Sequence, residues 1–163
     1  MAEKPTIMVQ IADRAWTLDA VHCACRMGRR SPAVIALISM IPVQHPGWLG
    51  TEWGNMDFSD AAKDDLEDYQ ATVLDYGLDC RLVSCQYMDI ADALGDAAEQ
   101  LDAAVIFAQL PRTLLPAWRH LQVWLLRRRF SKQQRQWFEL PLSPAEISAI
   151  DEPARETHEL SRD

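Results

Sequence analysis

The run Ala33 to Met40, AVIALISM, is apolar at every position except Ser39. A continuous apolar run of this length is typical of a strand that is buried on both faces, whereas a strand with one wet face alternates apolar and polar residues. A strand buried on both faces needs helices above and below it, and strand-helix-strand units with parallel strands provide them. The run therefore predicts an internal strand of an α/β sheet.

Apolar runs alternate with helical patterns along the rest of the chain, as such units require. We predict strands at 6–12, 33–40, 80–86, 103–108 and 134–140, and helices that begin near residues 17, 59, 89 and 114. Thr17, Ser59 and Asp89 have side chains suited to cap the first three helices, and Gly77 suits the end of the second. The sequence predicts a doubly wound, five-stranded parallel sheet with helices on both faces in residues 1–141, a Rossmann-like fold, followed by a polar, flexible tail at 142–163.

The helix predicted after the fourth strand is apolar on two sides. We expect one side to pack on the sheet; its residues are Leu114, Ala117, Trp118, Leu121, Trp124 and Leu125. The other side carries Val123, Leu126 and Phe130 and is flanked by arginines. A helix with two apolar sides needs cover on both, so we predict that a partner, a second subunit or the chain's own tail covers this second side.

Charge is divided unevenly along a chain whose formal net charge is −8. Residues 52–102 hold 14 acidic and 2 basic side chains, whereas residues 103–141 hold 7 basic and 1 acidic. The acidic balance argues against nucleic acid as a partner, and no apolar run is long enough to cross a bilayer, so we expect a cytoplasmic protein. The two poles are either solvated faces or a polarised surface that orients a partner.

Four cysteines, Cys23, Cys25, Cys80 and Cys85, raise the question of a metal site. Cys23 and Cys25 lie two positions apart on a predicted helix, which turns them about 200° from each other, so they cannot share one ion. We predict no metal, and reduced, mostly buried thiols. No nucleophile-base set or carboxylate pair can be assembled from the sequence, and we predict no catalytic residues.

The segment 42–58 is a long loop with two prolines, three glycines and two tryptophans. Loops of this length inside a domain are often functional. Trp48 and Trp53 either cover a ligand cleft or form a small core of their own, and the sequence favours neither alternative.

The order of the elements and one segment resemble the universal stress protein family. Residues 87–108, YMDIADALGDAAEQLDAAVIFA, are similar to the family stretch in which a capped, Ala-rich helix runs into an Ile/Val-rich strand, and the start TIMVQIAD is also similar. The resemblance covers residues 5–141 in element order. It implies a stress-related regulatory protein that dimerises through its last strand, here QRQWFEL at 134–140, with Trp137 and Phe138 as anchors.

The family's ATP-binding residues are only partly matched. The resemblance implies that Asp13, at the end of the first strand, contacts the adenosine. Family members that bind ATP also carry Gly-x2-Gly-x9-Gly-Ser/Thr after the fourth strand, where glycines let backbone N–H groups approach the phosphates. Residues 109–114 here read QLPRTL, in which Pro111 lacks a donor and the two leucines add bulk. We therefore predict that ATP is not bound in the usual way.

Three functions follow from these observations. The first is a non-enzymatic regulatory or stress-response dimer that acts through protein contacts. The second is an atypical adenine-nucleotide or anion sensor in a cleft bounded by Asp13, Val43 and Gln109, in which arginines replace the glycine cradle: Arg14, Arg112 and Arg119. The third is docking on a membrane surface or transporter through the helix at 118–130, which the expected burial of its tryptophans against the sheet argues against.

Overall fold

The chain folds into a sheet of five strands joined by helices, and the computed structural model describes residues 4–49, 60–112, 115–141, 147 and 150. The strands are β1 (Thr6–Ile11), β2 (Val34–Pro42), β3 (Asp79–Tyr87), β4 (Ala103–Phe107) and β5 (Gln136–Phe138). The helices are α1 (Arg14–Arg30), α2 (Asp60–Asp75), α3 (Ile90–Gln100) and α4 (Pro116–Lys132). A 3₁₀ turn at Pro46–Trp48 follows β2. Trp53, Ser59 and Leu114, named in the sequence analysis, lie outside the described residues.

The sheet is parallel throughout, with the strand order β3-β2-β1-β4-β5. This confirms the predicted doubly wound fold. β2 pairs with β1 and β3, and its residues 35–38 are fully buried, so the apolar run did identify an internal strand. The strand order reverses between β1 and β4, and the crevice at the carboxyl ends of these two strands is where open α/β sheets bind ligands.

Two apolar cores lie on opposite faces of the sheet. Val9 and Leu37 pack with α1 and α2, whereas Met8 and Ile106 pack with α3 and α4, as the alternation of side chains along a strand requires. The two aromatic residues of β5 divide between the cores. Phe138 stacks on Phe107 of the first core, with ring centroids 5.3 Å apart, and Trp137 packs edge-on against Phe130 of the second, at 6.0 Å.

Helix ends follow local hydrogen bonding, and two of the predicted ends are confirmed. The Asp89 carboxylate accepts the N–H of Asp92 at the start of α3, and Gly77 adopts a φ of +75° after α2. The prediction that Thr17 caps α1 was wrong. Asp13 begins that helix, because its carboxylate accepts the N–H of Trp16 at 3.0 Å, while the Thr17 hydroxyl donates to the Asp13 carbonyl one turn inside.

The predicted orientation of α4 was also wrong. Leu126 and Phe130 are 4% and 1% exposed and pack in the second core with Val123 beside them, so these three residues belong to the chain's own interior and present no interface. The residues expected on the sheet are exposed: Ala117, Trp118, Leu121, Trp124 and Leu125. The pattern of a helix that is apolar on two sides does not reveal which of the two is buried. In the observed rotation Leu126 and Phe130 are buried, and Arg119 and Arg129 form ion pairs with Glu139 and with α3.

Part of the predicted tail packs on the domain. Ile150 is 3% exposed, and its carbonyl oxygen accepts a hydrogen bond from the Arg30 guanidinium. Most of the remaining residues of 142–163 lie outside the described ranges. Within the residues that the structure does describe, no helix combines the length and apolar character needed to span a bilayer.

The reversed orientation of α4 can be tested with neighbouring leucines. We expect Leu126→Ala to lower the free energy of unfolding by about 2–5 kcal/mol, because it leaves a cavity in the second core. Leu125→Ala should change it by less than about 0.5 kcal/mol, because that side chain is half exposed. Urea denaturation of both variants at low protein concentration measures the difference, and equal losses would contradict the described rotation.

Candidate functional site

The crevice between the carboxyl ends of β1 and β4 is bridged by the side chain of Gln10. Gln10 is buried near the end of β1, and its Oε1 accepts the backbone N–H of Gln109 at 2.8 Å. Backbone N–H groups at this position of an open sheet are the donors that hold anionic ligands in other proteins of this architecture. In this chain the donor at 109 is used by an internal acceptor.

The loop that follows β4 is fastened to β5. The N–H of Ala108 donates to the carbonyl oxygen of Phe138 at 3.2 Å, and the Ala108 carbonyl oxygen accepts the indole N–H of Trp137 at 2.9 Å. Leu110 is buried in the second core, and Pro111 has no N–H. The backbone N–H groups of residues 108 and 109 are therefore both hydrogen-bonded within the chain. The two residues that follow them are a buried leucine and a proline without an N–H.

Two residues expected in this crevice are used elsewhere. The Arg14 guanidinium contacts Asp65 and Asp68 of α2, at 2.7 Å from the Asp68 carboxylate, and these two acids raise the pKa of Arg14. Val43 is buried, and its N–H donates to the Tyr87 carbonyl oxygen at 2.8 Å, which ties the ends of β2 and β3 together. Arg14 is thus held against α2, and the N–H of Val43 is used in the backbone pairing between the ends of β2 and β3.

Gln109 and Arg112 line a cavity of about 570 Å³ beyond the ends of β4 and β5, to which Asp13, Arg14 and Val43 do not contribute. Arg119 and Arg127 of α4 also border this cavity, as does Glu139, whose carboxylate accepts from Arg119 at 2.7 Å. The Nε atom of Arg119 is buried without a hydrogen-bond partner among the described residues. The lining carries three guanidinium groups and one carboxylate, and we call it the basic cavity.

Sequence reasoning placed Arg112 and Arg119 near the strand ends but did not include Arg127. The signal was present in the spacing, because residues eight apart on a helix lie about two turns apart and within about 80° of each other. The Arg127 guanidinium also lies over the ring of Trp137, 5.6 Å from its centroid. The reversed assignment of the α4 faces hid this relation.

A groove of about 340 Å³ runs between α3 and α4. Its lining combines apolar side chains with the acidic start of α3: Asp89, Ala91, Asp92, Trp118, Leu121, Gln122, Leu125, Leu126 and Arg129. Arg129 closes one end with ion pairs to Asp96 at 2.7 Å and Glu99 at 3.0 Å, and these acids raise its pKa against the opposing effect of burial. Its guanidinium lies over Gly95, where an added Cβ would overlap it.

Burial affects the acidity of three of the four thiols, those of Cys25, Cys80 and Cys85. Burial, with a smaller contribution from Cys80, raises the pKa of the Cys25 thiol to about 12, and burial also raises the pKa values of Cys80 and Cys85. Thiols with raised pKa values stay protonated at neutral pH and are poor nucleophiles and metal ligands. Within the described ranges, no group of three or more His, Cys, Asp or Glu residues is arranged to hold a metal ion.

Comparisons with known proteins identify the fold. No family model and no curated protein matches the sequence. Among solved structures, a universal stress protein family member from Burkholderia pseudomallei matches with a TM-score of 0.57 at 16% identity, over 84% of this chain and 96% of that one. A universal stress protein in complex with cAMP matches at 0.55 and 15%, over 87% and 100%, and the one from Archaeoglobus fulgidus in complex with dAMP at 0.52 and 13%, over 85% and 98%.

The bridge across the crevice is open to a direct test. We expect Gln10→Met to lower the free energy of unfolding by about 1–3 kcal/mol, because a side chain of similar size then leaves the Gln109 N–H without its acceptor. Amide hydrogen exchange should show loss of protection at Gln109 and preserved protection at Ala108, whose acceptor is the Phe138 carbonyl oxygen. Unchanged exchange at Gln109 would contradict the bridge.

Proposed function

For a chain with the universal stress protein fold, we propose a cytoplasmic, non-enzymatic regulatory or stress-response protein that acts as a homodimer through protein contacts. In this proposal ATP is not bound in the manner of the glycine-rich members. The observation that carries the proposal is the closed loop after β4, whose donors at 108 and 109 serve the Phe138 carbonyl oxygen and the Gln10 side chain.

The solved neighbours bear on this point. Two of them are complexes with cAMP and dAMP, so the fold itself is compatible with adenine nucleotides. A ligand in the crevice of this chain would first have to displace Gln10 from the Gln109 N–H. It would then meet Pro111, which offers no donor, instead of a glycine. These features favour a function that does not depend on the phosphate cradle.

The homodimer part of the proposal rests on β5. This strand is at the edge of the described sheet, with β4 as its neighbour, and an edge strand can pair with a strand of a second copy. Trp137 and Phe138 pack into the two cores of their own chain. Pairing at this edge would therefore rely on backbone hydrogen bonds more than on aromatic anchors.

Thermal unfolding with nucleotide tests the proposed absence of ATP binding. We expect the protein to purify without nucleotide and its midpoint to move by less than about 1 °C in millimolar ATP. A ligand present at about 100 times its Kd would add about 2.7 kcal/mol, equivalent to about 5–11 °C for a chain of this size. A dose-dependent rise of that order, or adenine nucleotide released on denaturation, would overturn this part of the proposal.

A second candidate function, an anion sensor, is favoured by the basic cavity. Arg112, Arg119 and Arg127 surround it, and the buried Arg119 Nε faces no internal acceptor in the described part of the chain. Guanidinium groups bind phosphates by paired hydrogen bonds without a glycine cradle. The alternative is that these arginines only balance the acidic half of the sequence.

Pyrophosphate distinguishes the two alternatives. If the cavity binds anions, millimolar pyrophosphate raises the unfolding midpoint of the protein. Arg112→Gln should lower the apparent affinity for pyrophosphate at least about tenfold, the effect of losing one charge-assisted contact, and the rise in midpoint should be smaller. Arg81→Gln, which removes an exposed arginine of β3, serves as the matched control. No rise in any of the three proteins would dismiss the anion sensor.

A further inference from the structure

One wall of the groove between α3 and α4 presents large apolar side chains to solvent. Trp118, Leu121 and Leu125 of α4 line it and are 52%, 43% and 51% exposed. Positions i, i+3 and i+7 lie on one side of a helix, so these three residues form a stripe about 10 Å long. An exposed apolar stripe that includes a tryptophan marks an interaction site rather than ordinary surface.

The other wall of the groove is acidic. Asp89 and Asp92 of α3 border it, and both are exposed. The Asp89 carboxylate accepts the N–H of Asp92 at 3.0 Å and the side-chain amide of Gln122 at 3.4 Å. Neither carboxylate forms an ion pair with another described residue, whereas the acids further along α3 are paired with Arg129. Two carboxylates without a cation therefore lie beside the apolar wall.

α3 and α4 run in the same direction along the groove. Contacts join Asp89 to Gln122 and, about two turns further, Asp96 to Arg129. The walls are thus two neighbouring helices, and a third helix can lie along the space between them. The groove volume of about 340 Å³ is at the low end of the range for ligand pockets, about 300–1,000 Å³. It suits a few side chains of a bound helix better than a cofactor.

We infer that this groove binds an amphipathic helix of a partner protein, whose apolar side faces Trp118 and Leu125 and whose lysine or arginine side chains face Asp89 and Asp92. Helices bind such grooves through apolar side chains at i, i+3, i+4 and i+7. The charge of the groove carries the choice of partner. A cation there meets two carboxylates and the ring of Trp118, whereas an acidic helix would place like charges opposite each other. The N-terminal end of α3 offsets only about half an elementary charge of the two.

The chain's own C-terminal segment has the wrong chemistry for this groove. Residues 142–163 hold six acidic and two basic side chains. Ile150 lies beside Met27 and Phe138, which pack in the first core, across the sheet from α3 and α4. Anionic lipid is disfavoured for the same electrostatic reason, because it would meet Asp89 and Asp92. The inference rests on the proposed function through protein contacts and names the chemistry of the partner.

Binding of a fluorescein-labelled peptide to the full chain tests the groove. The probe is an 18-residue helical peptide with leucines at i, i+3, i+4 and i+7 and lysines on both sides of that stripe. A comparison peptide has glutamate in place of each lysine. By fluorescence anisotropy we expect a Kd below about 100 μM for the lysine peptide and binding at least about tenfold weaker for the glutamate peptide. A Kd above that limit, or equal affinity for both peptides, would overturn the inference.

Substitutions in the apolar wall locate the bound peptide. Trp118→Ala should weaken binding about thirtyfold or more, the loss typical of a central anchor, and Leu125→Ala about fivefold or more. Leu74→Ala is the matched control, because Leu74 of α2 is 62% exposed and α2 packs in the first core, across the sheet. Its affinity should equal that of wild type. Circular dichroism and thermal midpoints establish that each variant is folded, and equal losses in Trp118→Ala and Leu74→Ala would contradict binding in the groove.

Charge substitutions examine the acidic wall. Asp92→Lys should weaken binding of the lysine peptide about tenfold or more and strengthen binding of the glutamate peptide, because the sign of the wall is partly reversed. Asp64→Lys, in α2, changes the net charge equally at a distant exposed site. It should change both affinities less than about twofold at 0.15 M salt, where charges are screened over about 8 Å. Similar losses in the two variants would indicate general attraction to an acidic protein and reject the groove.

The remaining outcomes separate the inference from the proposed function. If the lysine peptide does not bind while sedimentation equilibrium shows a homodimer that holds no nucleotide, the groove is overturned and the proposed function stands. If the peptide binds in the groove of a monomer that purifies with nucleotide, the proposed function is overturned and the groove stands. Sedimentation with vesicles of equimolar phosphatidylcholine and phosphatidylglycerol that is lost in Trp118→Ala would assign this surface to a membrane and overturn the inference.

Discussion

Burial of β1 and β2 on both faces is the constraint from which the rest of the structure follows. Two internal strands without a wet face require helices on each side, and this requirement produces the two cores around Leu37 and Ile106. Parallel strands joined by such helices form an open sheet whose order reverses between β1 and β4. In the crevice created there, the Gln10 side chain accepts a hydrogen bond from the Gln109 N–H.

The sequence predicted those parts of the fold that depend on local pattern. The alternation of strand and helix patterns located all five strands, and the capping side chain of Asp89 and the positive φ of Gly77 were recognised because they act within a few residues. The rotation of α4 was not predictable in this way, because the helix is apolar on two sides and the side that is buried depends on contacts with residues far along the chain. Arg129 reaches acids of α3 about thirty positions away.

The candidate site was predicted less completely than the fold. The missing glycines after β4 were visible in the sequence, but the internal acceptors of the loop donors, Gln10 and the Phe138 carbonyl oxygen, depend on tertiary pairing. Arg14 was expected at the crevice because it follows β1 directly, and the carboxylates of α2 hold it elsewhere. Positive charge is instead gathered one strand further along the sheet, by Arg119 and Arg127 of α4.

Gly95 has a consequence for the polarity of the molecular surface. Because residue 95 has no side chain, the Arg129 guanidinium lies across α3 and its charge is satisfied by Asp96 and Glu99. A larger residue at 95 would displace this guanidinium and leave the exposed carboxylates of Asp96 and Glu99 without that partner. The absence of one methyl group thus allows a guanidinium of the basic helix α4 to lie against the acidic helix α3.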